Sequence, residues 1–280
     1  MFRPSRMILA VVALIATTCA AWAEERPLRV ILLPFTNTLS LMEMYQPLRE
    51  HLQTALGRPV HLFGAADFTN HFQDVRRRDY DLAITGPHFG AWALAHGAVP
   101  VLRYKPMLKP VLVVRAADGV TRPEQLKGKI VALSNRLSVS SITGESWLAK
   151  QGMLAGRDYK LVVSPTHTTA IMAVAMGEAD GAITTHTPVQ QAPDDVKAAI
   201  REIESPEAVP HLFTIANPAL PAAQVAAIKG AILSFAETEA GKAFLAKSGY
   251  QGYVDISQAD LDLLKTPVAL LADIVPEAAQ

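Results

Sequence analysis

Residues 134–146 read SNRLSVSSITGES, and six of these thirteen are Ser or Thr. They stand between an apolar run, KIVAL, and a helical-looking WLAKQGML. Hydroxyls here can cap the next helix or present donors to a polar ligand. Four further turns have the same character: Thr36-Asn37-Thr38, Thr85-Gly86-Pro87-His88, Thr166-His167-Thr168-Thr169 and Thr184-Thr185-His186-Thr187. All five are rich in hydroxyls, imidazoles and free backbone N–H groups. Arg136 is the one cationic residue on their approach. Helix starts with uncharged donors suit an anion, because the helix dipole and the open amides already favour negative charge. The candidate ligand residues are Ser138, Ser140, Ser141 and His167, with Thr168, Thr36, Asn37, Thr85, His88 and His186 beside them.

These turns need strands that end together. Short apolar runs, Leu28–Leu33, Val60–Phe63 and Asp81–Thr85, alternate with helical patterns over 41–56 and 68–78. Pro47 inside the first helical pattern predicts either a kink or a helix starting there. The same grammar repeats with strands at 111–115, 130–133, 161–163 and 181–184 and helices at 142–151 and 168–176. Strands alternating with helices imply parallel βαβ units. The expected fold is α/β, with two Rossmann-like lobes: 24–110 with 216–280, and 116–210. Extended segments 111–115 and 211–215 are expected to join them as a two-segment hinge. In open parallel sheets ligands bind beyond the carboxyl ends of the strands, so the five turns share one address in a cleft between lobes.

Arg3 and Arg6, the apolar stretch after them and Ala21-Trp22-Ala23 form a secretory signal pattern, with cleavage expected after Ala23. Cys19 raises a lipoprotein alternative, but Thr17-Thr18 makes a poor lipid-attachment motif. It is the only cysteine, so thiolate metal sites, redox pairs and cysteine nucleophiles are excluded from the mature chain. Without Arg3 and Arg6, 24 basic face 26 acidic residues. That balance offers no footprint for nucleic acid or an anionic membrane. A periplasmic monomer without cofactor or metal is expected.

Several stretches carry a family resemblance: YQPLREHLQTALG, RDYDLAITGP, LKGKIVAL with SVSS, HTTAIMAVAMGEADGAI and EAGKAFLAKSGYQGY. In this order they resemble the phosphate/phosphite/phosphonate substrate-binding proteins of ABC importers. The resemblance implies a two-lobed periplasmic binding protein of the type II topology that captures a small oxyanion and delivers it to a permease. It implies that Ser138, Val139, Ser140 and Ser141 form the oxyanion turn, with His167 opening the next helix and Thr85 and His88 adding to them. Val139 stands where the family has a hydroxyl, Ser141 where glycine is usual, and Phe89-Gly90 where a hydroxyl-bearing aromatic is common.

Three other readings are possible. The same fold can present a ligand to a membrane sensor kinase. A hydrolase would use Ser138, His167 and a carboxylate such as Asp180, yet the chain has no G-x-S-x-G elbow. Metal binding by His88, His167 and His186 lacks any HxH or HExxH spacing.

Overall fold

The computed structural model describes residues 26–275. The expected signal segment 1–23 lies outside them. The strands are β1 (Leu28–Leu32), β2 (Val60–Gly64), β3 (Leu82–Thr85), β4 (Val99–Tyr104), β5 (Met107–Leu108), β6 (Pro110–Arg115), β7 (Ile130–Leu133), β8 (Lys160–Val163), β9 (Gly181–Thr185), β10 (Ile200–Glu204), β11 (Val209–Pro210), β12 (Phe213–Ala216) and β13 (Tyr253–Val254). The helices that matter for the site are α1 (Thr38–Leu56), α2 (Phe68–Arg77), α3 (Pro87–Ala95), α4 (Val139–Lys150), α5 (His167–Ala175) and α6 (His186–Gln190). After them come α7 (Asp194–Ala199), α8 (Ala222–Glu237), α9 (Glu239–Ser248), α10 (Gln258–Leu263) and α11 (Lys265–Ile274).

Two sheets organise the chain. The first has the order β13-β4-β12-β3-β1-β2 and the second β10-β6-β9-β7-β8. In each, three strands run parallel and a fourth, β12 or β6, lies antiparallel beside the third. This is the type II arrangement of a two-lobed binding protein, as expected. The same device sets both parallel registers. Asp81, just before β3, accepts the Arg29 amide of β1 at 2.8 Å. Asp180, just before β9, accepts the Ile130 amide of β7 at 2.9 Å.

The joining segments differ from the expectation. Residues 111–115 belong to β6, an interior strand of the second sheet. Most of 211–215 belongs to β12, an interior strand of the first. An uninterrupted apolar run such as Val111–Val114 is what a strand covered on both faces requires. Val111 and Val113 pack toward α5, Leu112 and Val114 toward α4. The chain crosses between sheets just outside these strands, where β5 and β11 pair as a two-stranded antiparallel ribbon. Strands β4 and β10 carry no clear strand pattern in the sequence. Helix α1 begins at Thr38 and runs through Pro47. Ser257 and Asp260 form a reciprocal cap on α10, with α11 still to follow.

Glycines seat the two helices that start at the seam between lobes. A Cβ on Gly90 of α3 would stand 2.8 Å from the Phe213 ring, and one on Gly144 of α4 would stand 2.4 Å from Ile183 Cγ2. Both helices therefore lie closer to their sheets than any side chain permits. Gly144→Ala should push α4 off β9 and cost about 1–3 kcal/mol as an overpacked core site. Its midpoint in urea should fall with an unchanged slope, and an unchanged midpoint would show that α4 has room to shift.

Candidate ligand site between the lobes

Three helices begin at one cavity of ≈ 50 Å³ between the sheets: α3 at Gly86-Pro87-His88, α4 at Ser138-Val139-Ser140 and α5 at His167. Strands β3, β7 and β8 end there, so their carboxyl ends deliver the three starts. Thr185 and Thr187 add the short α6. Leu108, His211 and Leu212 enter from the crossing, and Tyr250 from the loop after α9. Among the described residues, no Lys, Arg, Asp or Glu lines this space. Leu33, Phe35, Phe68 and Val139 make much of its wall apolar.

The serine turn is tightly wired. Ser138 caps α4, its Oγ accepting the Ser141 amide at 3.2 Å. That Oγ also lies 2.5 Å from Ser140 Oγ and 3.3 Å from Ser141 Oγ. The cap takes one amide of the first turn, and the amides of Val139 and Ser140 have no partner within the helix. Ser138 and Ser140 line the cavity, while Ser141 is fully buried behind them.

His167 lines the cavity with both ring nitrogens engaged inside its own lobe. Nε2 lies 3.2 Å from Ser134 Oγ and Nδ1 3.1 Å from Thr184 Oγ1. Ser134 stands at the end of β7 and Thr184 on β9, so the imidazole ties three elements together. Burial lowers its pKa to about 4. His88 also lines the cavity, and its Nε2–H donates across the seam to the Leu137 carbonyl at 2.7 Å. Burial lowers its pKa to about 4 against the opposing effect of that carbonyl.

The remaining expected residues lie elsewhere. Thr85 is buried behind the cavity, with Oγ1 2.8 Å from His71 Nε2. Asn37 is exposed and caps α1 through the Ser40 amide at 2.9 Å. Thr36 and Thr168 are half-buried and off the lining. His186 Nδ1 accepts the Lys109 amide at 3.2 Å, which ties α6 to the crossing. His211, Tyr250 and Gln191 line the cavity without having been singled out in the sequence. Only tertiary folding brings them there.

Several contacts join the lobes besides His88. Gln191 Nε2 donates to the Ser248 carbonyl at 2.9 Å, and Lys150 pairs with Glu207 of the crossing. The nucleophile–base relay drawn from the sequence does not assemble, since Ser138 bonds serines rather than His167. Asp180 sits at the opposite end of β9, roughly 15 Å along the strand from the cavity. Among the described residues no three His, Asp, Glu or Cys gather as a metal site, and no helix is long and apolar enough to cross a membrane.

Four buried imidazoles make stability depend on pH. His71 and His211 are lowered to about 3, both mainly by burial, and His88 and His167 to about 4. In the unfolded chain all four titrate near the ordinary value of about 6.5. Between these values the unfolded state binds more protons, so stability is full above about pH 6.5 and is lost as pH falls toward 4 and 3. Unfolding free energy should drop steeply from pH 7 to pH 5, with a slope of up to four protons. The drop should persist in salt, because its cause is desolvation. A flat profile would mean that these rings accept protons in the folded state.

Comparison with known proteins agrees with this architecture. Residues 30–261 match the family model described as ABC transporter, phosphonate, periplasmic substrate-binding protein. Among solved structures, PhnD1 from Prochlorococcus marinus in complex with methylphosphonate is similar, with a TM-score of 0.77 at 15% identity, covering 89% of this chain and 98% of that one. A binding protein component of an ABC phosphonate transporter from Pseudomonas aeruginosa gives 0.73 at 16%, covering 91% and 99%. A chloride-bound protein from Xanthomonas citri gives 0.72 at 16%, covering 89% and 99%. The family match spans both sheets and the crossing between them, and the chain belongs to the periplasmic phosphonate substrate-binding proteins of ABC transporters.

Proposed function

We propose that this chain, exported on residues 1–23 and acting as a monomer, captures a small phosphorus oxyanion in the cavity between its lobes and delivers it to the permease of an ABC importer. The observation that carries the reading is a small, charge-free cavity at which three helices begin. Their first-turn amides and the Ser138 and Ser140 hydroxyls supply donors, and the dipoles supply positive potential without a fixed cation. A ligand so held is not locked by an ion pair, which suits a carrier that must release it. The methylphosphonate held by the Prochlorococcus relative supports the ligand class. The apolar wall made by Leu33, Phe35 and Val139 would accept an alkyl group or hydrogen on phosphorus.

Ligand binding would favour the closed form and so mark the loaded protein for its membrane partner. At 100 times its dissociation constant, a ligand should stabilise the fold by about 2.7 kcal/mol and raise the melting temperature by several degrees. The panel to test is methylphosphonate, phosphite, phosphate, sulfate, arsenate and arsenite. Ser140→Ala should weaken the best ligand about tenfold or more, the value of a hydrogen bond to a charged group. No shift with any member of the panel would overturn the oxyanion reading.

A further inference from the structure

Two buried ring nitrogens on cavity-lining residues have no hydrogen-bond partner among the described residues: Nδ1 of His88 and Nε2 of His211. The rings are 0% and 2% exposed, so bulk water does not serve them. The backbone sets the role of each. A carbonyl oxygen only accepts, so the 2.7 Å bond to Leu137 places the His88 hydrogen on Nε2. In a neutral ring Nδ1 is then a bare acceptor. On His211 the Leu212 amide donates to Nδ1 at 2.8 Å, which leaves the hydrogen on Nε2 as an unused donor.

The surroundings keep both rings neutral. His88 stacks on Phe89 at 4.0 Å, and the titratable group beside it is His71 of α2. His211 packs edge-on against Tyr104 of β4 and Tyr250, with His186 of α6 and Arg103 of β4 as its charged or titratable neighbours. Arg103 is itself paired with Asp260 at 2.9 Å. Both imidazole pKa values lie far below neutrality.

An unpaired acceptor and an unpaired donor on two residues that line one small cavity match a ligand that offers one of each. A fully ionised oxyanion offers acceptors alone and would set a lone pair against that of His88, at the cost of an unsatisfied buried group. Given the phosphorus-oxyanion reading above, we infer that the cavity selects the monoprotonated ligand, its P–OH donating to His88 Nδ1 and an ionised oxygen accepting from His211 Nε2–H. His88 then reads the ligand's proton, and His211 is a ligand contact carried on the crossing segment. Sulfate and sulfonates, which carry no such proton near neutrality, are rejected by the same acceptor.

Titration calorimetry from pH 6.5 to 9 tests this with methylphosphonate, phosphite, sulfate and methanesulfonate. Methanesulfonate has the shape and charge of the methylphosphonate monoanion but no hydroxyl. Affinity for the phosphorus ligand should fall tenfold per pH unit above that ligand's second pKa, and both sulfur ligands should bind at least about 100-fold more weakly. His88→Phe should narrow that gap and flatten the pH profile. His211→Phe, which keeps the ring packing, should weaken phosphorus and sulfur ligands alike by about tenfold or more. Affinity that is level or rises above the second pKa, or sulfur ligands within tenfold of methylphosphonate in the unaltered protein, overturns the inference and leaves the capture function standing. Absence of binding by either phosphorus ligand at every pH removes both.

Discussion

The hydrogen bond from His88 to the Leu137 carbonyl spans the seam between lobes at 2.7 Å, and the design of the cavity follows from it. It joins the first turn of one site helix to the residue just before the next. It also fixes which ring nitrogen bears a hydrogen. For the bond to form, α3 and α4 must lie close to their own sheets, and Gly90 and Gly144 allow this by presenting no side chain to Phe213 and Ile183. Those sheets are registered in turn by Asp81 and Asp180, each taking an amide from a neighbouring strand. The chain of cause runs from two aspartates and two glycines to the orientation of one imidazole.

A cavity lined with arginines would attract an anion more strongly, but burying unpaired cations is costly before the ligand arrives. Neutral donors carry a smaller penalty, and helix starts offer amides that lack intrahelical partners in any case. The histidines follow the same logic. Buried and neutral, they supply directional donors and acceptors without formal charge. His167, whose two nitrogens bridge Ser134 and Thr184, braces the second lobe, so its ring positions the site more than it offers a free donor.

Much of the fold was legible because the parallel strands are short apolar runs closed by Gly, Asp or hydroxyl turns. Strand β4 was hidden by Pro100 and Arg103 within it, and β10 by the polar sequence IREIE of a sheet edge. The strands at 111–115 and 213–216 are legible as extended apolar runs, but an extended run looks alike within a sheet and between sheets, so the place of the crossing is not. The continuous run Val111–Val114 is an interior strand paired on both sides, and the paired crossing is only two residues long on each side. In the cavity, Ser138, Ser140, His167 and His88 were visible because they sit where strands hand over to helices. Asn37 has the same local chemistry but caps an exposed helix start, a difference that burial alone reveals. His211 and Tyr250 come from a crossing and a loop whose local sequence has no reason to be polar or aromatic, so only the assembled lobes bring them in.

One consequence concerns how such a protein can diversify. His211 sits on the same short crossing that carries the chain between lobes, next to the β5–β11 ribbon and Leu212. On the inference above, a replacement there would alter ligand contact and the geometry of the crossing at once. Substitutions in the serine turn act within one lobe, where its hydroxyls bond one another, and lie away from the crossing. New specificities should therefore arise more readily by drift in the helix starts, with the crossing position changing rarely and in company with its neighbours.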